Sequence, residues 1–548
     1  MSNAVLYFHH DAYDTTGAKL MGRHAAGESF LRGFLRHAEV ERFHLYNVGR
    51  GAREQAEALV RRIHDPAKPL AWHPSRRTLG EVGVMSLPVP GLGGEAWLRR
   101  AVGEQAYAIS GITHTTASAT VMQSMSELLL APLHDYDALI CTSEAVRASV
   151  EVQLDGVRAY LAEEYGPRRR PEPQRVTIPL GLNVADFAVN EASRKAWRER
   201  LEIPADAVVA LYVGRFNARA KMNPALMALA LEQAAKRTSR PICWVNSGWG
   251  GSEQSAEDHH NWSSALCPSV LYRHVDGRPA DVRFSIWSVA DVFISFSDNI
   301  QETFGLTPIE AMAAGLPCVV TDWDGYRDTV RHGVDGFRIP TYAPRPGDGG
   351  DIAYAFADNA VNYEAYVGGA AQYTAIDLAA AAQAIVDLAE NPDLRRRMGA
   401  AGRGRAEQIF DWSAIIPQYQ ALWAEQDARR RAAPVVAAGA GNPFRPDPFT
   451  LFASYPTRRL QPAWRVGVPP GMTWADASAV LTSPLAAYSN LHRPNLEALG
   501  ALFQRLEQSG PVTVAQAVAP YGPGDRAFMQ RGLLWMARFG ALVLTPDD

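Results

Sequence analysis

Glu302-Thr-Phe-Gly-Leu-Thr-Pro-Ile-Glu310-Ala-Met-Ala-Ala-Gly-Leu-Pro-Cys-Val-Val-Thr321 reads as a polar turn with one glycine, a helix, and then an apolar strand. A helix that feeds directly into a buried-type strand is the repeating unit of a parallel α/β sheet. Thr307 has the chemistry of an N-cap, Pro308 suits the first helical position, and Gly315 can end the helix. The three-residue step from Thr307 to Glu310 also fits a capping box, which would engage Glu310 in its own helix. A turn at a helix N-terminus presents backbone N–H groups to an anion, and the flanking carboxylates accept hydrogen bonds from hydroxyls. An anion joined to a polyhydroxyl describes a nucleotide-diphosphate sugar.

The same alternation extends in both directions. Towards the N-terminus, Ala4-Val-Leu-Tyr-Phe8, Phe43-His-Leu-Tyr46, Ala106-Tyr-Ala-Ile-Ser110, Ala138-Leu-Ile-Cys-Thr-Ser143 and Val176-Thr-Ile-Pro-Leu180 read as strands. A polar loop bearing Gly17, Gly22 and Gly27 separates the first strand from a helix over Glu28–Arg36, which places Phe30, Leu31, Phe34 and Leu35 on one side. After a polar crossover at 184–206, a second set begins. Val208–Val213, Pro241–Val245, Asp291–Ser295 and Pro317–Thr321 are strands; Asn223–Lys236, Leu378–Ala389 and Leu394–Ile409 are helices. Two doubly wound α/β units are expected, with the ligand outside the carboxyl ends of the strands and in the cleft between the units.

The chain has 548 residues, enough for two or three domains, and is 47% hydrophobic and 20% charged, a globular composition. A net charge of −4 gives no electrostatic reason to bind nucleic acid, so no nucleic acid is expected as a partner. Cys141, Cys243, Cys267 and Cys318 lack C-x-x-C spacing and read as reduced thiols of a cytoplasmic protein. Met1-Ser-Asn-Ala leads straight into the first strand without a signal pattern, and no apolar run approaches the roughly 20 residues of a spanning helix. His9, His10 and Asp11 could gather a metal on paper but lack the spacing of a closed site, so no metal is expected.

Glu302-x-Phe-Gly-Leu-x-x-x-Glu310 with Ala-Met-Ala-Ala-Gly-Leu-Pro resembles the signature of the retaining glycosyltransferase family 4. The likeness continues through Thr321–Val330 and His332–Arg338. Upstream, Val213-Gly-Arg215 with Lys221 resembles the family's donor-phosphate strand and loop, although Met222 stands where the family pattern has glycine. Asp137–Ser143, Ile178–Asn183 and Ser110-Gly-Ile-Thr-His114 resemble its N-terminal domain, so the resemblance covers roughly residues 1–425. It implies a GT-B fold and transfer from a nucleotide-diphosphate sugar (UDP-, GDP- or ADP-linked), with no further cofactor. Carried over, Arg215 and Lys221 clamp the diphosphate, Glu302 and His114 contact the donor sugar, and Glu310 holds the ribose. The backbone of Thr303, Phe304, Gly305 and Leu306 approaches the diphosphate, and Gly22 and Gly27 let the first loop come close. The acceptor would be a glycan, lipid or protein hydroxyl.

The implied domains are 1–190 (acceptor side), 191–425 (donor side), a linker at 426–480, and an accessory domain at 481–548. Three short helices and a strand at Pro494–Gln508, Thr513–Pro520, Asp525–Phe539 and Ala541–Leu544 resemble a winged-helix module. Residues 481–548 hold five Arg, no Lys and five acidic residues, which favours docking of a protein or peptide over DNA. Arg168-Arg-Arg170 could touch anionic lipid. The alternatives are a glucan or disaccharide-phosphate synthase on the same fold, and a non-catalytic nucleotide-sugar sensor with a C-terminal output domain.

Overall fold

The structure, a computed structural model, describes residues 3–15, 22–47, 52–167, 170–436, 438–439, 441–489 and 493–546. Gly17 and the first two arginines of Arg168-Arg-Arg170 lie outside the described residues. The chain divides into two compact units, Met1–Pro443 and Phe444–Asp548.

The first unit holds two parallel sheets. One has seven strands: β1 (Val5–Tyr7), β2 (Phe43–Tyr46), β3 (Leu70–His73), β4 (Val84–Leu87), β5 (Ala108–Ile112), β6 (Ala138–Cys141) and β7 (Gln174–Thr177). Their order is β3-β2-β1-β4-β5-β6-β7. The other has six: β8 (Val208–Phe216), β9 (Ile242–Gly250), β10 (Leu271–Asp276), β11 (Val292–Ser295), β12 (Cys318–Thr321) and β13 (Gly336–Ile339), ordered β10-β9-β8-β11-β12-β13. Each sheet therefore winds outward in two directions from one point, between β1 and β4 and between β8 and β11. These are the Rossmann-like switch points at which a crevice opens beyond the strands. A short antiparallel pair, β14 (Thr341–Tyr342) with β15 (Ala375–Ile376), follows β13.

Both faces of each sheet are covered, which explains the strand composition. β6, β11 and β12 are buried along their whole length and read as continuous apolar runs. The edge strand β10, Leu-Tyr-Arg-His-Val-Asp, buries only Val275 and can carry charge. The helix Pro224–Ala235 begins where its residues dictate: the Asn223 side chain accepts from the Ala225 N–H, and Pro224 takes the first position.

The expected domain limits need correction. The helix Trp412–Ala432 runs through the boundary drawn at 425 and packs on the first sheet rather than the second. Trp412, Ile415, Ile416, Tyr419, Leu422 and Trp423 share one buried cluster with Leu31, Phe34 and Phe43. Trp412 Nε1 donates to Ser29 Oγ at 2.8 Å, Trp423 Nε1 to Ser110 Oγ at 3.2 Å, and Gln426 Nε2 to the carbonyls of Ile109 and Tyr136 at 3.0 Å. Burying each such apolar side chain contributes roughly 1.5–3 kcal/mol. The helix expected at 394–409 is an α-helix only over Pro392–Arg405; a π-turn over Ala406–Phe410 then redirects the chain towards the first domain.

The expected linker at 426–480 also dissolves. Its first residues are helix, and Arg465–Gly467 (β16) and the helix Trp474–Leu481 belong to the second unit, whose core includes Val466, Ala477 and Leu481. That unit has helices Leu496–Ser509, Val514–Val518 and Pro523–Arg538, and a three-stranded antiparallel sheet ordered β17 (Val512–Thr513), β16, β18 (Val543–Thr545).

Gly22 and Gly27 do not lie in a loop but in the helix Gly22–His37. A Cβ at Gly27 would sit 1.9 Å from the Ala12 carbonyl oxygen, so this glycine serves helix packing; nothing lies within 4 Å of a Cβ at Gly22.

Asp137, which opens the resemblance to the N-terminal domain at β6, is fully buried, as is Arg99. The guanidinium forks onto the carboxylate at 2.6 and 2.9 Å and also donates to the carbonyls of Tyr107 and Pro132; the carboxylate accepts from the Ile109 and His134 amides. Breaking such a pair strands a buried charge. Asp137→Ala should lower the stability of the first unit by roughly 3–5 kcal/mol in urea denaturation, and a loss under about 1 kcal/mol would contradict this account.

Candidate active site

Beyond the switch point of the second sheet, the loop after β8 meets the loop after β11. Asn217 follows β8 and organises the first loop: its Oδ1 accepts from the amides of Arg219 and Ala220, and its carbonyl accepts from the amides of Lys221 and Met222. Met222 needs no glycine conformation here. It is buried, and its sulfur accepts the Phe296 N–H at 3.2 Å, joining the two loops. Asn299 makes a second join, donating from Nδ2 to the Arg219 carbonyl at 2.6 Å, while its own carbonyl accepts from Glu302 N and Trp323 Nε1.

This double weld brings Lys221 Nζ to 2.5 Å from Glu302 Oε2. The Glu302 side chain is only 11% exposed. Burial pushes its carboxyl up, but the Lys221 ammonium and the amides of Thr303 and Phe304 outweigh that and hold it below the ordinary carboxylate value. The Thr303 N–H donates to Glu302 Oε1 at 3.2 Å. The amides of Thr303 and Phe304, expected to face the diphosphate, are therefore turned onto the Glu302 carboxylate.

The helix begins at Leu306 and its N-cap is Gly305, with φ +85° and no side-chain cap bond. This corrects the capping box read at Thr307 and Glu310. The reason is tertiary: the buried Tyr326 ring underlies the turn, where a Cβ on Gly305 would lie 2.1 Å from Tyr326 Cε1. Glycine alone tolerates both the left-handed backbone and that approach. Glu310 is thus released from capping. Burial raises its carboxyl, with Arg283 and Lys221 acting in the opposite direction. Arg215, in the last turn of pleat of β8, acts electrostatically on Tyr212 and Tyr363, and Tyr212 also feels Glu302 and Asp298.

Across the cleft, Thr303 is held from both sides. Its hydroxyl donates to the His114 carbonyl at 2.7 Å, and its carbonyl accepts from Ser143 Oγ at 2.7 Å. Ser143 also caps the helix Glu144–Tyr165, whose Glu144 amide donates to Asp328 at 2.7 Å. The His114 ring, paired with the Pro88 carbonyl through Nε2 at 3.1 Å, stands at the same junction. Lys221, Glu302, Thr303 and His114 are thus linked by contacts, whereas Gly22 makes no close approach.

A cavity of about 630 Å³ lies between the helices Ala119–Leu130 and Glu144–Tyr165 on one side and the loop after β12 on the other, with Glu302 in its wall. Trp323 and Asp324 line it, and Asp324 holds a left-handed φ of +43°. These residues, with Asn299 and Asp298, were not singled out from sequence. The local signals were a polar Ser-Asp-Asn at the end of an apolar strand for Asp298 and Asn299, and the family likeness over Thr321–Val330 for Trp323 and Asp324. Among the described residues no His, Cys, Asp and Glu cluster gathers in a way that could hold a metal, and no helix is long and apolar enough to cross a membrane.

Residues 193–345 match the family described as Glycosyl transferases group 1. The matched stretch runs from the helix before β8 to β14 and so includes Lys221, Glu302 and Glu310. A D-inositol 3-phosphate glycosyltransferase of Streptomyces scabiei (strain 87.22) is 28% identical over 324 residues, 56% of this chain and 63% of that protein. A protein of the same name from Thermobispora bispora is 30% identical over 177 residues, 32% of this chain and 40% of its own. The match spans less than two thirds of either relative. Among solved structures, Anabaena Alr3699/HepE in complex with UDP aligns with 77% of this chain and all of its own, at 16% identity and a TM-score of 0.49.

Asp298 is 4% exposed, its Oδ1 has no partner among the described residues, and burial pushes its carboxyl from 3.8 to about 7. Between those values the folded protein keeps a proton that the unfolded chain has lost, so this group makes stability fall as pH rises. Asp298→Asn should therefore gain in melting temperature relative to the parent as pH rises from about 4 to about 7. A gap that stays constant across that range would refute the assignment.

Proposed function

We propose that this chain is a retaining glycosyltransferase of family 4, moving a sugar from a nucleotide-diphosphate sugar to an acceptor hydroxyl. The observation that carries the reading is the Lys221–Glu302 pair at the switch between β8 and β11, beside Arg215 and the N-terminus of the helix Leu306–Ala313. A lysine ammonium and an arginine fork suit the two kinds of contact that a diphosphate offers. Donor binding exchanges partners: Lys221 turns from the Glu302 carboxylate to the diphosphate, and Glu302, released along with the Thr303 and Phe304 amides, accepts from sugar hydroxyls. Glu310, free of any capping duty, takes the ribose hydroxyls, and His114 borders the sugar from the first domain.

Transfer then breaks the bond between the anomeric carbon and the diphosphate oxygen. The acceptor oxygen bonds to that carbon on the same face, and its proton passes to the departing diphosphate. Negative charge grows on the leaving group, so fixed cations and amides there lower the barrier. The bonds that hold Thr303 to His114 and Ser143 keep the cleft drawn together and limit competing attack by water. The acceptor enters against the first domain. The relatives carry inositol 3-phosphate in their name, which supports a polyol as the acceptor class. We read the chain as cytoplasmic and Phe444–Asp548 as a winged-helix-like docking module.

Lys221→Ala and Glu302→Ala should each reduce transfer by about 10²-fold or more while leaving the far-ultraviolet circular dichroism unchanged. A thermal-shift panel of UDP-, GDP- and ADP-sugars should raise the melting temperature of the parent and not of Lys221→Ala, because a ligand that binds only the folded state stabilises it. Full transfer by both variants would refute the site.

A further inference from the structure

Between β14 and β15 the chain inserts two helices, Gly350–Ala357 and Tyr363–Ala371, which lie beyond the residues 193–345 that carry the family match. The second begins cleanly, because the Asn362 side chain accepts from the Ala365 N–H at 2.9 Å. Phe356 stacks on Tyr366 with ring centroids 4.2 Å apart and so clasps the pair together. Val367 is fully buried in a small cluster with Ala117, from the segment after β5, and Ala220, from the loop after β8. Ile300, from the loop after β11, packs against the same cluster, as do Tyr363 and Tyr366. Ala220 precedes Lys221, and Ile300 lies two positions before Glu302. Asn217 Nδ2 donates to Glu364 Oε1 at 3.3 Å, and a Cβ on Gly368 would lie 3.0 Å from Arg219 Cβ, so glycine lets the helix backbone rest on the loop after β8. The helix Tyr363–Ala371 therefore covers both donor-side loops and reaches the first domain.

Tyr363 is the first residue of that helix, and its hydroxyl oxygen is buried without a hydrogen bond among the described residues. The Thr115 side chain and the Arg215 guanidinium both stand close enough to act on it. A buried hydroxyl without a partner costs stability, so an acceptor that reaches it is bound the more strongly. With a guanidinium beside the hydroxyl, the ligand atom that satisfies both is an anionic oxygen. We propose that the inserted helix supplies a third contact to the donor's diphosphate, in which the Tyr363 hydroxyl donates to an oxygen of the sugar-bearing phosphate beside Arg215. The proposal rests on the transferase reading given above and deepens it. Thr115 follows His114, which borders the sugar in that reading, so Tyr363 stands on the sugar side of Arg215. Its ring is set by the Val367 cluster, and the hydroxyl is therefore placed before the ligand arrives. Burial holds the phenol above its ordinary value, which keeps it protonated and able to donate across the neutral range. Charge grows on that phosphate as the sugar leaves, so the same bond strengthens during transfer.

The test uses the full chain and Tyr363→Phe, which keeps the ring and its packing and removes only the hydroxyl. Whichever of UDP, GDP or ADP binds the parent is titrated calorimetrically into both proteins, alongside the matching nucleoside monophosphate. Tyr363→Phe should weaken the diphosphate about tenfold or more and the monophosphate less than about twofold. Without nucleotide, its melting temperature should equal or exceed that of the parent, because the lost hydroxyl had no partner inside the protein. Unchanged diphosphate affinity overturns the proposal, and so does an equal loss for both nucleotides. A lower melting temperature in the nucleotide-free variant also overturns it, since the hydroxyl would then be bonded within the fold. Failure of every nucleotide to bind the parent appears before the variant is compared and counts against the transferase reading instead.

Discussion

A lysine and a glutamate from neighbouring loops, 2.5 Å apart and largely withdrawn from water, form the constraint on which the site depends. Neither charge is stable alone at that depth, since burial by itself raises the Glu302 carboxyl. Their mutual attraction, aided by two amides, keeps the carboxylate ionised. Asp298 and Asp324, on adjoining loops without such a partner, are pushed the opposite way, to about 7 and about 8. One crevice therefore holds carboxyl groups of contrasting character, set by whether a cation stands beside them. The proposed chemistry uses this contrast. The paired group can exchange its cation for a sugar's hydroxyls.

That pair exists because the two loops are joined elsewhere. Met222 receives the Phe296 amide and Asn299 reaches the Arg219 carbonyl, so the ends of β8 and β11 cannot separate without breaking both. The cleft is fixed in a similar way. Thr303 bonds through its hydroxyl to one first-domain loop and through its carbonyl to another. The helix Trp412–Ala432, arriving from the second domain, buries three aromatic side chains against the first. The two sheets are thus connected at the chain crossover, at the returning helix and at Thr303.

Much of this was legible in the sequence. The apolar runs at β6, β8, β11 and β12 stand out because strands covered on both faces exclude polar residues. Edge strands escape the same test: β10, with Arg273, His274 and Asp276, carries no apolar run to find. Glu302 and Glu310 stood out on either side of a glycine turn, whereas Arg215 and Lys221 were reached through the family resemblance of the segment after β8. Thr307 was misread as a cap because its spacing to Glu310 is right, yet the buried ring of Tyr326 moves the helix start back to Gly305. Gly27 was misread as loop because its helix partner, the Ala12 carbonyl, cannot be seen in a local pattern.

The sequence by itself determined two α/β halves and a helix-headed turn between carboxylates. Those features arise from periodicity and turn chemistry acting within a dozen or so residues, so a linear reading captures them. The tertiary structure alone decided that residues 412–432 belong with the first sheet and that Glu302 closes on Lys221. It also decided that Asp324 lines a cavity facing the helices Ala119–Leu130 and Glu144–Tyr165. Each of these joins segments between about eighty and four hundred positions apart, and both their geometry and their charge state depend on water being excluded, which only the packed molecule does.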